Sequence, residues 1–374
     1  MLTKKNNESL PQFLARLWNK SGFDGWLFFS ILLLEIIGLL VLYSASNQNY
    51  PLVVKQITKF IISIFAMLFF ASTSIDKYRS LAPWFYTFAV VLLIAVAAIG
   101  MTSKGGQRWI ELGAIHFQPS EIMKFAMPMM LAWYLQHQRT PIEVKNFLIA
   151  VGIILLPVIM IAKQPDLGTA LLVMAIGSFT LLLAGVNKRL IFLVFCLAGI
   201  SLPVIWHFMY PYQKMRILMF LSPELDPFNT GYNIIQSKIA IGSGGWWGKG
   251  WLQGTQASLK FLPEAATDFA FAVYCEEFGF VGVLLLFAVF AFICGRCLHI
   301  STYAQDPFSR LFAGSITLSF FLSFLINIGM TSGLLPVVGV PLPFISYGGS
   351  SLVTFMISFG IIMSIQSHRK LIST

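Results

Sequence analysis

The sequence predicts an all-α polytopic membrane protein with ten transmembrane helices. Of the 374 residues, 57% are hydrophobic and only 11% are charged, and the mean hydropathy is +0.78. A chain of this composition has too few polar side chains to cover a water-soluble fold. Its apolar runs approach the roughly 20 residues that cross hydrocarbon as a helix. These runs are continuous and do not alternate, which argues against a closed barrel of strands.

Hydropathy divides the chain into ten spans. They are 26–46, 52–72, 81–100, 120–137, 146–162, 168–185, 189–210, 268–295, 309–332 and 346–366. With the N-terminus in the cytoplasm, the basic turns between spans all face the cytoplasm, as the positive-inside rule for short loops requires. An even number of spans returns the C-terminus to the same side. We therefore expect cytoplasmic tails at 1–25 and 367–374 around one membrane domain, 26–366.

The formal charge of +10 does not indicate a nucleic-acid partner. The cations are spread through loops, and no basic run is interleaved with exposed aromatic residues. The four cysteines lie in or beside apolar segments, and the five histidines lack ligand spacing, which argues against a disulfide framework and a zinc site.

The remaining hydrophilic segments face outward in this topology and carry the unusual residues. They are 101–119, 163–167, 211–267 and 333–345. The longest, 211–267, joins predicted helices 7 and 8, and its length inside a compact membrane domain favours a function over a mere connection. We therefore expect any active site at the non-cytoplasmic face.

Two carboxylates, Glu264 and Asp268, stand at the start of the eighth predicted span. One interpretation is structural, with Thr267 or Asp268 capping the helix and Glu264 in solvent. The other is functional, because a carboxylate at the edge of hydrocarbon is costly and tends to be kept for a role.

Glu121 and Lys124 lie three residues apart near the start of the fourth span, where they can neutralise each other. A purely structural ion pair is the alternative. Ser120 lies one residue too far from Lys124 for the S-x-x-K motif of acyl-serine enzymes, and no K-T-G follows. These spacings argue against an acyl-serine mechanism.

Three outer segments carry further candidates. Arg108 and Trp109 lie in a glycine-containing loop that can meet a lipid headgroup, although Trp109 can also be an interfacial anchor. The turn at Gln164 and Asp166 is predicted to cap the next helix, with a catalytic acid as the weaker alternative. Glycines around Lys249 let backbone amides approach an anion, or form a flexible interfacial loop.

Several motifs occur in one order along the chain. They are Gln107-Arg-Trp109, Phe117-Gln-Pro-Ser-Glu121, Gln164-Pro-Asp-Leu-Gly-Thr-Ala170, Phe261-Leu-Pro-Glu264 with Thr267-Asp268, and the long stretch from Asn327 through Pro336, Pro343 and Ser346 to Ser351. With these motifs the chain resembles the SEDS family (shape, elongation, division, sporulation) over nearly its whole length. With its short N-terminal tail and without a C-terminal extension, the chain is most similar to the elongation members of this family.

The resemblance implies a ten-helix fold and a peptidoglycan glycosyltransferase that polymerises lipid II during lateral cell-wall elongation and rod-shape maintenance. It implies a place in the bacterial inner membrane, with the active site facing the periplasm. The implied partners are a class B penicillin-binding protein, a PBP2-type transpeptidase, and other membrane proteins of the elongation complex. It also makes Asp268 the essential carboxylate, with Gln164, Asp166 and Ser346 in supporting positions.

The chemistry of this reaction needs one general base, because a pyrophosphate leaves without being protonated. We assign the base to Asp268 and expect Arg108, Trp109 and Glu264 to contact substrate, with Glu121 and Lys124 as a supporting pair. Positive charge for the leaving group can come from Arg108, Lys124 or Lys249, or from a divalent cation, Mg²⁺ or Mn²⁺, held by carboxylates.

Two other functions fit parts of the sequence. A lipid II flippase suits ten helices with prolines inside them, but it should carry polar groups through the depth of the bundle, where Glu35 is the exception among mostly peripheral charges. A scaffold that only recruits a penicillin-binding protein would not need the pair formed by Glu121 and Lys124. The sequence therefore favours the polymerase.

Overall fold

The computed structural model describes residues 24–367 except 104–105, 113–114, 139, 188 and most positions from 191 to 229. Its helices are α1 (Gly25–Ala45), α2 (Tyr50–Ala71), α3 (Ile75–Ile99), α4 (Pro119–Leu135), α5 (Val144–Lys163), α6 (Leu167–Leu183), α7 (Thr230–Ser243), α8 (Thr255–Ser258), α9 (Ala270–Thr302), α10 (Pro307–Thr331) and α11 (Ser350–Ser367). Seven of them are long and apolar enough to cross a membrane, and α6 is a shorter apolar helix. The predicted all-α polytopic class is confirmed.

Nine of the ten predicted spans coincide with a described helix to within a few residues. Half of the residues of the seventh, 189–210, lie outside the described residues, as do nearly all of the two predicted tails. The described helices pack as neighbours that include α2 with α11, α3 with α4, α6 with α10 and α9 with both α1 and α10. Stacked phenylalanines fill the core between α9, α10 and α11, where Phe320 contacts both Phe290 and Phe359.

Ion pairs fasten the helix ends on one side of the bundle, which we call the ionic end. Arg296 Nε of α9 lies 2.6 Å from Asp24 Oδ2, beside the start of α1. Arg79 Nη2 of α3 lies 2.7 Å from Asp306 Oδ2, beside the start of α10. The described parts of the segments predicted to face outward lie at the opposite helix ends, which we call the loop end.

The segment 101–119 corrects the sequence-based expectation of a loop, because most of it folds into a small antiparallel sheet. The strands are β1 (Met101–Ser103), β2 (Gly106–Leu112) and β3 (Ile115–Phe117), in the order β1-β2-β3. Thr102 pairs with Gln107, and Glu111 pairs with His116. The sheet packs on α3 and α4 and so connects their ends at the loop end of the bundle.

A kink at Gly279 divides α9, where φ is 64° and ψ is −165°. The glycine-rich segment 244–250 satisfies the backbone there: Lys249 N donates to Glu276 O at 2.9 Å, and Phe280 N donates to Gly245 O at 2.9 Å. A Cβ atom on Gly279 would collide with the backbone of Gly248. We call residues 244–256 together with 276–279 the kink cradle.

Candidate functional site

Asp268 lies half-buried, immediately before the residues that begin α9. Asn327 of α10 holds its backbone, because Asn327 Nδ2 donates to Asp268 O at 3.0 Å and to Val340 O at 2.8 Å. The side chain of Asn327 is fully buried, which fixes this bridge. One amide group therefore joins the predicted catalytic residue to the segment that follows α10.

That following segment, residues 332–349, is called the signature loop. Tyr347 N donates to Ala266 O at 2.8 Å, which gives the residues before Asp268 a second anchor. Gly339, at φ 74°, lies against the carboxylate: a Cβ atom there would be 3.5 Å from Asp268 Oδ2. Ser346 Oγ accepts from Leu342 N at 2.9 Å and closes a turn inside the loop. The supporting role of Ser346 at the site stays a prediction.

Glu121 and Lys124 form an ion pair at the start of α4, with Lys124 Nζ 2.5 Å from Glu121 Oε1. Their side chains are only 6% and 5% exposed. Glu121 Oε2 has no hydrogen-bond partner among the described residues. Because removing two charges from water is costly and this pair leaves one oxygen unsatisfied, its geometry favours a role in binding over simple stabilisation.

Contacts connect this ion pair to the signature loop. Gln118 Nε2 donates to Asp166 Oδ2 at 3.0 Å, which ties the start of α4 to the start of α6. Asp166 also caps α6 through Thr169 N at 3.3 Å. Gly168 touches Val338 of the signature loop, where a Cβ atom would contact the backbone of Val338. The predicted cap at Asp166 is present.

The remaining predicted residues fall in different places. Gln164 Nε2 donates to Leu93 O of α3 at 2.8 Å, a structural bond. Trp109 is half-buried in β2, next to Arg108, of which only the backbone is described. Glu264 is exposed at φ 56°, and its Oε2 accepts from Thr267 Oγ1 at 2.9 Å.

Lys249 lies in the kink cradle, where Glu276 Oε1 is 2.6 Å from Lys249 Nζ. Thr255 Oγ1, at 3.0 Å, is a further partner of the same ammonium. The role of Lys249 at a pyrophosphate stays a prediction, and the observed contacts give this side chain a structural task.

Sequence reasoning missed the pair Glu276 and Glu277, which are 0% and 1% exposed. Besides Lys249, Glu276 accepts from Thr255 N at 2.8 Å and from Gln256 N at 3.2 Å. Glu277 accepts from Ser44 Oγ at the end of α1 and from Leu252 N at 3.2 Å. Two adjacent glutamates inside an apolar helix were the available signal.

Lys59 of α2 was also missed. Its Nζ lies 4.0 Å from the centroid of the Tyr347 ring, a cation–π contact with the signature loop. The signal was a pair of lysines, Lys55 and Lys59, inside an apolar span, where an ionisable group is a functional candidate by default.

Among the described residues, no three Cys, His, Asp or Glu side chains are placed to hold a metal ion. Asp268 and Glu264 are near each other in sequence, but neither has such a set of neighbours. The divalent cation expected from the sequence stays a prediction.

Comparison with known proteins places the chain in a family. The model of the FtsW, RodA and SpoVE cell cycle proteins matches residues 25–371. The peptidoglycan glycosyltransferase MrdB of Escherichia coli is 46% identical over 357 residues, covering 95% of this chain and 96% of its own length. The peptidoglycan glycosyltransferase RodA of Treponema pallidum is 31% identical over 431 residues, covering 95% and 100%.

Solved structures agree with the fold. A structure described as the coordination of polymerization and crosslinking by a peptidoglycan synthase complex superposes with a TM-score of 0.83 at 26% identity, covering 93% of this chain and 99% of the other. The crystal structure of Thermus thermophilus RodA gives 0.71 at 24% identity, covering 93% and 98%. The resemblance drawn from the motifs is thereby confirmed, and the chain belongs to the FtsW, RodA and SpoVE family of cell cycle proteins.

Proposed function

We propose that this protein is a peptidoglycan glycosyltransferase that polymerises lipid II into glycan strands during lateral wall elongation. The names of relatives that align over 95% of the chain support this activity. The observation that carries the site assignment is the position of Asp268, half-buried at the loop end and held through its own backbone by Asn327. A carboxylate fixed in this way is preorganised to take a proton without moving its main chain.

In the proposed reaction, Asp268 accepts the proton of the acceptor's 4-hydroxyl while that oxygen bonds to the anomeric carbon of the donor. The bond from this carbon to the polyprenyl pyrophosphate breaks, and the pyrophosphate leaves as an anion. No second carboxylate is needed to protonate it, in contrast to glycosidases that expel an alkoxide. The exposed Glu264 is then assigned to substrate contact.

The departing pyrophosphate needs positive charge. Among the described residues, Lys124 is a buried cation. It lies in the first turns of α4, whose start is connected to the start of α6 by the hydrogen bond from Gln118 to Asp166. A pyrophosphate oxygen can approach the Lys124 ammonium while Glu121 remains bound to it. A buried cation stabilises a developing anion more strongly than an exposed cation does. Arg108 and Trp109 in β2 are proposed as contacts to the donor headgroup.

The protein is proposed to reside in the bacterial inner membrane. Its ionic end would face the cytoplasm with both termini, and its loop end would face the periplasm, where lipid II is polymerised. The even number of spans predicted from the sequence and the basic turns between them support this orientation. The solved complex that combines polymerization with crosslinking supports a class B penicillin-binding protein, of the PBP2 type, as the partner.

The test is lipid II polymerisation by the purified protein with its cognate transpeptidase, comparing wild type with Asp268→Ala. The partner carries an inactive transpeptidase site, so that strands remain uncrosslinked and their length can be measured on gels. Strands from wild type alone support the proposal. If neither protein made glycan strands and labelled lipid II crossed the liposome membrane, the result would favour a flippase. The buried Glu35 of α1 is the feature that fits that alternative function.

A further inference from the structure

A cavity of about 400 Å³ opens beside the candidate site. One wall is the turn between α1 and α2, and the other is the segment that leads to Asp268, residues 257–267. The residues around it are Ala45, Ser46, Asn47, Ala257, Lys260 and 262–267. The volume lies within the usual range of small-ligand sites, about 300–1,000 Å³. The wall ends at Thr267, so the cavity borders the predicted base.

Three polar side chains of this cavity stand on left-handed backbone. The φ values are 54° at Asn47, 59° at Lys260 and 56° at Glu264, although none of the three is glycine. Side chains in such conformations are strained, and they concentrate where a ligand site fixes their direction. The side chains of Asn47 and Lys260 are both exposed and line this cavity. Their donors therefore point into the open cavity or solvent.

Most of the other wall residues are apolar. They are Ala45, Ala257, Leu262, Pro263, Ala265 and Ala266, and the two hydroxyl residues Ser46 and Thr267 complete the wall. A sugar ring has the matching surface, with C–H faces for the apolar wall and hydroxyl or acetamido groups for an amide, an ammonium and a carboxylate.

The two sides of Asp268 are different. On one side, Gly339 of the signature loop lies against the carboxylate. The neighbouring Val338 contacts Gly168 at the start of α6. A hydrogen bond from Gln118 connects that end of α6 to the start of α4. Lys124, the cation proposed for the pyrophosphate, lies on that side. The cavity is lined by no residue of the signature loop, and its described lining includes no buried cation. The donor and its pyrophosphate thus fit the first side.

We propose that this cavity binds the disaccharide of the acceptor, the N-acetylglucosamine–N-acetylmuramic acid unit whose 4-hydroxyl attacks the donor. This inference rests on the proposed function. Asn47, Lys260 and Glu264 hold the acceptor, and the hydroxyl reaches Asp268 past Thr267. The proton passes from this hydroxyl to Asp268 as the new glycosidic bond forms and the pyrophosphate leaves.

The test uses a lipid-free disaccharide pentapeptide blocked as its methyl glycoside, which can accept but cannot donate, with lipid II as donor. The variant is Asn47→Gly combined with Lys260→Gly, because glycine keeps the positive φ without strain while it removes both side chains. The matched control is Gln48→Gly, at φ 61° in the same turn but outside the cavity wall.

The double variant is expected to raise the KM for the blocked acceptor about tenfold with kcat within about twofold of wild type. Gln48→Gly is expected to keep both constants. An unchanged acceptor KM in the double variant, or an equal rise in Gln48→Gly, would overturn the acceptor site. A failure of the proposed function has another signature, in which wild type makes no glycan or Asp268→Ala makes as much.

Discussion

The loop part of the kink cradle, 244–256, is followed directly by the segment 257–268, yet the charged side chains of the two regions have opposite surroundings. In the cradle, Lys249 and the fully buried Glu276 neutralise each other, and further donors surround the carboxylate. In the following segment, Lys260 and Glu264 are exposed and Asp268 is half-buried. Both regions are rich in charge, whereas burial separates the structural region from the one that is exposed to substrate.

The cradle should fail first when its backbone is disturbed. Gly279→Ala places a methyl group against the backbone of Gly248 and forces alanine into a positive φ. The expected loss is about 2–5 kcal/mol of unfolding free energy. It is measured as a lower thermal midpoint in detergent micelles. Gly295→Ala in the same helix, where no atom lies within 4 Å of the new Cβ, is the control and should not lower the midpoint. Equal thermal midpoints for the two variants would refute the stabilising role of the kink cradle.

The bridge at Asn327 tests the other region. Asn327→Ala frees both Asp268 O and Val340 O, so the base should lose its fixed position. We expect kcat of the folded fraction to fall about 10- to 100-fold, the scale of a small displacement at a reacting group. Thr331→Val, one turn along α10, removes a hydroxyl that bonds only within its own helix and should keep kcat. Wild-type kcat in Asn327→Ala would contradict the positioning role.

Lys249→Met distinguishes a structural lysine from a substrate contact. Loss of the ammonium removes a charged hydrogen bond to Glu276, which should cost about 1.5–3 kcal/mol of stability. Polymerisation per folded molecule should stay within about twofold of wild type. Lys260→Met, on an exposed side chain, should leave the thermal midpoint unchanged. If Lys249→Met polymerised more slowly with unchanged stability, the result would indicate that Lys249 contacts the pyrophosphate.

The smallest effect is expected outside both regions, at the ionic end. Arg79 and Asp306 are each about a third exposed, at 33% and 35%. Arg79→Met should therefore cost no more than about 1 kcal/mol, and less in high salt. Thermal midpoints at low and high salt measure this loss. A loss as large as that of Gly279→Ala would show that the ion pairs, rather than the cradle, control stability.

The membrane spans could be predicted from the sequence because each is a continuous apolar run of the required length. The sheet at 101–117 could not, because β1 and β3 have only three residues each and β2 lacks the strict alternation that marks a half-buried strand. The kink at Gly279 was hidden for a different reason. A single glycine in an apolar helix is often tolerated, and only the facing glycines of the cradle make it necessary.

At the site, Asp268 was found through a motif, and the contacts that hold it were not. Asn327 and Asp268 are 59 residues apart, and no periodicity connects them. The partner of Lys249 was missed because Glu276 lies in the following helix, whose direction relative to the loop depends on the kink. Local patterns thus identified most chemical groups, whereas tertiary packing decided which of them remain available.

The central claim is that Asp268 acts as the base while Glu276 serves the structure. The most direct measurement is the single-turnover rate of lipid II polymerisation by Asp268→Asn and Glu276→Gln, each normalised to its folded fraction. Asp268→Asn should lose about 10²–10⁴-fold in rate with unchanged stability, since it removes a proton acceptor and keeps the shape. Glu276→Gln should lose stability and keep its rate. Polymerisation by Asp268→Asn at the wild-type rate would contradict the account.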